Sequence, residues 1–354
     1  MRTQEFIAAA TAGQLARVNP RKNVARAGSD AWDFSQMSLR ELARHCCARN
    51  GLPQGESSSK MVARALSTSD FPAILENIAV KSLRDAYELA PRTFVLLGRQ
   101  TGMPDYREVS RPQFSDAPKL DRVLEGGEYT YGTVGDQGEK YRLFKYGKVV
   151  SISREAIVND DLNALGRLPA MMGAAAAQLE SSLFWSTITG NQTMSDGNAL
   201  FSAEHNNLEA SGSVIDIASI GDGRAAMHRQ QTEQGHFLHA SPAFLVVPTA
   251  IETRAEQFVS PSVIASEPGA INPFAGRLQV VSEPRLDTAS ATAWYLWADP
   301  NMIDTVEYAF LQGEEGPQIQ RRENFNTDGL DLKVRHSFAA RAIDWRGMFR
   351  NDGA

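Results

Sequence analysis

Apolar positions recur at helical spacing in several stretches of the chain. Between 67 and 91, Phe71, Ile74, Leu75, Ile78, Leu83 and Tyr87 fall on one helical face. Ser67, Ser69 and Asp70 offer cap oxygens ahead of them, Pro72 suits a first turn, and Pro91 stops the run. In 160–191, Leu162, Leu165 and Leu168 lead up to Pro169, and Met172, Ala176, Leu179 and Leu183 follow it. The proline predicts a break, with a new packed helix of ~30 Å beyond it. Its small-residue stretch, 173–177, leaves room for another backbone to approach closely. Upstream, helical patches at 3–18 and 38–50 alternate with polar stretches at 19–30 and 51–59, which reads as an arm or linker with two helices.

Period-two patterning marks the strands. In 140–153, Phe144, Tyr146, Val150 and Ile152 share one face. They form the return limb of a segment, 105–148, in which 16 of 44 residues are charged, eight of each sign, against 22% charged residues overall. Gly126, Gly127, Gly132, Gly135 and Gly138 crowd its middle. This predicts a long two-stranded ribbon. An isolated ribbon is marginal in water, so this one should lie on something else, such as a neighbouring subunit; a solvated surface hairpin is the alternative. Further on, the pattern predicts a short helix near 221–234, a buried strand at 243–247, and a helix opened by the capping box Thr249-Ala250-Ile251-Glu252. Strands at 277–282 and 293–298 complete an α/β stretch, and 318–325 and 330–336 flank an Asp328-Gly329 turn as a closing hairpin.

Composition narrows the classes. The 354 residues are 42% apolar, enough for a core, and no apolar run reaches the ~20 residues of a membrane helix. The net charge is −6, and the bases gather into no tract, which argues against direct nucleic-acid recognition. Cys46 and Cys47 are adjacent, and a bridge between them would strain the intervening peptide, so two buried free thiols are expected. The first ten residues read as a short helix and not as a signal peptide, which points to a cytoplasmic site of synthesis.

Catalytic motifs are missing: no phosphate loop, dinucleotide fingerprint, metalloprotease helix or nucleophile elbow occurs. Asp196, Ser202, Glu204 and His205 come nearest to a hydrolytic cluster, in which His205 would activate Ser202. No surrounding motif supports it, and Asp196-Gly197-Asn198 reads as turn chemistry, so His205 is expected to be structural. His228, His236 and His239 lack the carboxylates or thiols of a metal site. Asp160 and Asp161 fit a helix N-terminus better than an acid–base pair. No cofactor is implied. This profile suits a structural, non-catalytic protein whose function is contact with copies of itself.

Four stretches carry a family resemblance. They are Ser67-Thr-Ser-Asp-Phe-Pro-Ala-Ile-Leu-Glu-Asn, Lys145-Tyr-Gly-Lys-Val-Val-Ser-Ile-Ser-Arg-Glu-Ala-Ile-Val-Asn-Asp-Asp-Leu, Ala199-Leu-Phe-Ser-Ala-Glu-His-Asn-Asn, and the closing 328–347. Together they resemble the major capsid proteins of tailed bacteriophages and prophages, in the subgroup often fused to a prohead protease. The resemblance implies an α+β Hong Kong 97-like capsid fold. It would divide the chain into an N-terminal arm or linker (1–66), an N-terminal helix region (67–104) and an extended β-hairpin loop (105–152). A peripheral domain with the spine helix (153–215), an α/β axial domain (216–312) and the return strands of the peripheral domain (313–354) would follow.

By the same resemblance the chain would self-assemble into pentamers and hexamers of an icosahedral shell around double-stranded DNA, held without sequence-specific contact. Portal, scaffold or prohead protease would be its assembly partners, no membrane would be involved, and its place would be the virion capsid after assembly in the host bacterial cytoplasm. The interface candidates on the ribbon are Arg107, Arg111, Lys119, Arg122, Glu125, Glu128, Lys140, Arg142, Lys145 and Lys148. Some family members cross-link a loop lysine to a neighbour's asparagine. Lys119, Lys140, Lys145 and Lys148 could donate and Asn324 and Asn326 accept, but no motif singles out a pair. The rival readings are an encapsulin-like compartment shell, a Ser202/His205 hydrolase and a monomeric binding module.

Overall fold

The computed structural model describes residues 3–18, 29–53, 57–112, 138–153, 155, 159, 162–232, 235–260, 272–324 and 329–354. Its helices are α1 (Thr3–Val18), α2 (Ser29–Ser35), α3 (Leu39–Arg49), α4 (Ser58–Leu66), α5 (Asp70–Leu89), α6 (Leu162–Thr189), α7 (Ile217–His228), α8 (Glu252–Val259) and α9 (Pro284–Asp287). The first six strands are β1 (Arg99–Met103), β2 (Val109–Pro112), β3 (Gly138–Tyr141), β4 (Phe144–Ile152), β5 (Leu208–Glu209) and β6 (Pro242–Val247). The remainder are β7 (Gln279–Ser282), β8 (Trp294–Ala298), β9 (Val306–Leu311), β10 (Gln318–Asn324), β11 (Gly329–Ala342) and β12 (Met348–Asn351). Mixed helices and sheets make this an α+β protein. The chain divides into two units, Met1–Pro91 with Lys145–Leu179 and Glu314–Ser337, and Arg92–Phe144 with Glu180–Gly313 and Phe338–Ala354.

In the first unit, the face expected on α5 is the buried one: Phe71, Ile74, Leu75, Ile78 and Leu83 are all at most 1% exposed. Their partners come from the stretch read as an arm. Phe6, Leu39, Leu42, Cys46, Cys47, Met61 and Val62 share one core with them, joined by Ile152 of β4 and Leu330 and Leu332 of β11. α1 hides this role because its buried face is made of small and polar residues such as Ala10, Gly13 and Gln14. A side chain at Gly13 would meet the Ala31 carbonyl at 2.5 Å, and Gln14 Nε2 donates to the carbonyls of Phe34 and Met37 at 2.7 and 2.8 Å. Ser38 and Glu41 close a reciprocal capping box on α3. Asp70 gives α5 no cap; it is buried and accepts from Asn50 Nδ2 at 3.4 Å.

α6 departs from expectation at Pro169, which lies inside one continuous helix. The missing amide costs a helical hydrogen bond, but burial of Pro169 and of Gly166, packed on Val18, favours the straight course. The small-residue stretch does what its composition implied. A Cβ at Gly173 would stand 2.1 Å from the Leu83 carbonyl oxygen, so α5 and α6 touch backbone to backbone. Gly173→Ala is expected to cost about 1–3 kcal/mol by forcing these helices apart, a loss readable in urea denaturation. β10 pairs antiparallel with the first half of β11, from Gln318↔Arg335 to Asn324↔Gly329, and β4 also pairs with β11.

The second unit is built on a five-stranded sheet of order β5-β12-β8-β6-β7. Every residue of β8 is buried, and the strand's alternation sorts them into two cores. Trp294, Leu296 and Ala298 pack with Ile220 and Met227 of α7, while Tyr295 and Trp297 pack with Phe184, Trp185, Tyr308 and Phe338. β1 runs parallel to β9, which is antiparallel to the second half of β11. No capping box forms at Thr249: residues 249–251 make a 3-10 turn, and the Asp287 carboxylate takes the amides of Thr249 and Ala250 at 3.0 and 3.1 Å. α8 begins only at Glu252.

Candidate subunit interface

The charged ribbon begins as β2 paired antiparallel with β3, Val109↔Tyr141 to Pro112↔Gly138. Its middle, 113–137, lies outside the described residues, and Lys119, Arg122, Glu125 and Glu128 lie there with it. What can be followed is how the base is fixed. Strand alternation turns Glu139 and Tyr141 inward, buried, and Lys140 outward. The Glu139 carboxylate accepts from Arg341 Nη2 and Nε at 2.8 and 3.1 Å and from the Ser195 amide. Arg341 Nη2 also donates to the Thr193 carbonyl at 2.8 Å, so one guanidinium joins β3 to the loop after α6.

A second junction lies beside it. Tyr141 donates its hydroxyl proton to Glu307 Oε1 at 2.8 Å, and Arg111 Nε sits 2.9 Å from the same oxygen. Arg111 Nη2 donates onward to Thr101 Oγ1 at 2.9 Å. Burial and the adjoining Glu307 carboxylate push the Tyr141 phenol above its ordinary range, so it stays a neutral donor. Arg111 is therefore engaged within the chain: its charge is matched by Glu307, which is 196 positions away and invisible to local spacing.

The remaining described candidates face outward. Arg107 is exposed and lies 3.7 Å from Asp105. Arg142 lies over the Phe144 ring at 5.2 Å, and Phe144 is itself half exposed. Lys140, Lys145 and Lys148 are exposed. Asn326 and the side chain of Asn324 lie outside the described residues, so no cross-linking pair is brought together among them. Sequence reasoning missed Glu139, Glu307 and Arg341. The period-two pattern across Glu139, Lys140 and Tyr141 was the available signal.

The His205 imidazole is packed and hydrogen-bonded within the second unit. Its Nε2 meets Asp196 Oδ2 at 2.7 Å and its Nδ1 the Leu200 carbonyl at 3.1 Å, so both ring nitrogens are engaged. The ring stacks on Trp345 at 4.0 Å. Ser202 Oγ accepts from the His205 amide at 3.3 Å and does not meet the imidazole, which removes the hydrolytic pairing. Burial raises the Asp196 carboxyl, but hydrogen bonds from His205 and Asn198 outweigh it and hold the group below the ordinary carboxylate range. A lowered folded-state value adds stability above the unfolded value, and this is lost as pH falls through the folded one. Stability is thus expected to decline below about pH 4, and Asp196→Asn to flatten that decline in urea titrations run from pH 6 to pH 3. Among the described residues no helix is long and apolar enough to cross a membrane, and no group of metal-holding side chains occurs.

A family model described as phage capsid protein matches residues 137–351. No curated protein matches the chain. Among solved structures, the chain is similar to the procapsid of bacteriophage JBD30, with 15% identity, 81% of this chain and 76% of that one covered, and a TM-score of 0.46. It is also similar to the structure of Microbacterium phage Oxtober96, at 13% identity over 72% and 85% of the two chains with a TM-score of 0.48. The virus-like particle from Pyrococcus furiosus follows at 10% identity over 77% and 98%, with a TM-score of 0.47.

Proposed function

The chain belongs to the phage capsid protein family, a family of structural proteins, and from that premise we propose that it is a major capsid subunit of the Hong Kong 97 type. It assembles with copies of itself, as pentamers and hexamers, into an icosahedral shell around double-stranded DNA held without sequence-specific contact. Portal, scaffold or prohead protease take part in assembly in the host bacterial cytoplasm, and the virion capsid is its final place.

The observation that carries the reading is the anchored ribbon. Glu139 and Tyr141 fix its base to Arg341, Ser195 and Glu307, while Lys140 between them and Arg142 after them stay exposed, as do Lys145 and Lys148 on β4, which pairs with β11. A strand pair fixed at its base within a segment dense in charge suits docking on an adjacent subunit, where ion pairs at the rim set register more than affinity. Arg107, Lys119, Arg122, Glu125 and Glu128 are proposed contacts of the same kind. Negative-stain microscopy on concentrated protein, with mass from light scattering, tests this. Rings, shells or tubes are expected. A chain that stays monomeric at every concentration, with or without scaffold and protease, overturns the reading.

A further inference from the structure

α7 presents three faces. Ile220, Gly223 and Met227 form the buried stripe, and a Cβ at Gly223 would meet Leu296 and Phe349 at 2.8 and 2.9 Å, so the helix sits directly on the sheet. On one flank, Asp222 joins Asp196, Glu204 and Glu209 around a groove of about 930 Å³, with Arg229 the one arginine among its described lining residues. On the other, Arg224 and His228 join Arg277 around a groove of about 670 Å³, with no carboxylate among its described lining residues. Arg224 is held in place with its guanidinium 4.9 Å above the buried Phe274 ring.

We propose that these two flanks are the complementary faces of a head-to-tail contact between copies of this chain, the basic groove of one copy meeting the acidic groove of the next. The proposal rests on the capsid-subunit reading and adds to it the surface by which neighbours in one ring recognise each other. A contact that uses the same patch on both copies would set like charge on like. A rotational ring instead needs two different patches on every copy, and it closes when the rotation does. One helix bearing opposite charge on its two flanks supplies that arrangement, and the pairing fixes both the direction of the ring and its register.

Charge exchange tests the contact. The proteins compared are the unaltered chain, a basic-flank reversal (R224E with R277E), an acidic-flank reversal (E204R with D222R), and a chain carrying all four. All four positions are exposed, and thermal melts verify that each variant keeps its fold. Either single-flank reversal is expected to raise the concentration needed for assembly, read by light scattering and microscopy, by at least about tenfold. The four-fold variant, with both flanks exchanged, should return to near the unaltered value. Single-flank reversals that assemble like the unaltered chain, or a four-fold variant no better than either, overturn the proposal and leave the capsid reading standing. Failure of the unaltered chain to assemble at all overturns both.

Discussion

Replacing Glu139 with alanine is expected to destabilise the unit that holds the ribbon by about 3 kcal/mol. The carboxylate is 1% exposed, and its removal strands both the Arg341 guanidinium and the Ser195 amide. Arg341 keeps 28% of its side-chain exposure, and water reaching it places the loss at the low end for a broken buried pair. Glu139→Gln keeps an acceptor for Ser195 and should cost clearly less. Urea denaturation of the two variants gives the comparison, and limited proteolysis within 105–152 should accelerate in the alanine variant. A Glu139→Ala change within about 0.5 kcal/mol of the parent would mean that the ribbon base is held by its strand pairing and the Tyr141–Glu307 junction without help from Glu139.

The second large effect is expected at Trp297. It is fully buried, and its indole Nε1 donates to Thr305 Oγ1 at 2.7 Å and to the Leu97 carbonyl at 3.1 Å. Trp297→Ala removes the side chain from a core shared with Phe184, Tyr308 and Phe338 and leaves a cavity, at a cost of about 4–5 kcal/mol. Trp297→Phe keeps most of the volume and removes the indole donor to Thr305 Oγ1 and to the Leu97 carbonyl, which keeps only the longer bond from Thr305 Oγ1 at 3.4 Å, a loss of about 1–3 kcal/mol. The difference between the two separates packing from hydrogen bonding at the centre of the second unit. Equal losses would show that the buried donor, not the ring's bulk, dominates there.

What the sequence revealed depended on whether its signal was local. The apolar face of α5, the fully buried run of β8 and the alternation of Leu330, Leu332 and Val334 against Asp331, Lys333 and Arg335 were all readable, because each element's periodicity matches the face it buries. Pro169 misled because a proline's local preference was outweighed by the packing of Gly166 and Gly173 on α1 and α5. The role of α1 was hidden for a different reason. A helix that buries alanine, glycine and glutamine shows little contrast between its faces, so its partners on α5 could not be inferred. In the ribbon, a count of charges treats every carboxylate alike, whereas Glu139 is buried with Arg341 and Lys140 is not. The family resemblance reached the capsid function without those contacts. The clamps that hold the ribbon join residues some two hundred positions apart, and only the fold brings them together.

Cys46 and Cys47 lie within the core of the first unit as free thiols. Desolvation, with Asp70 and the neighbouring thiol adding to it, pushes Cys46 up to about 12, and burial raises Cys47 as well. At pH 8 only ~1 in 10,000 copies of Cys46 would carry the nucleophilic thiolate. Oxidants and alkylating agents act through that form, so both thiols are expected to react slowly in the folded chain. A shell built from copies of one chain multiplies any reactive group by its copy number. Here both thiols are buried and their thiolate forms disfavoured, which keeps disulfide exchange slow while the core stays folded.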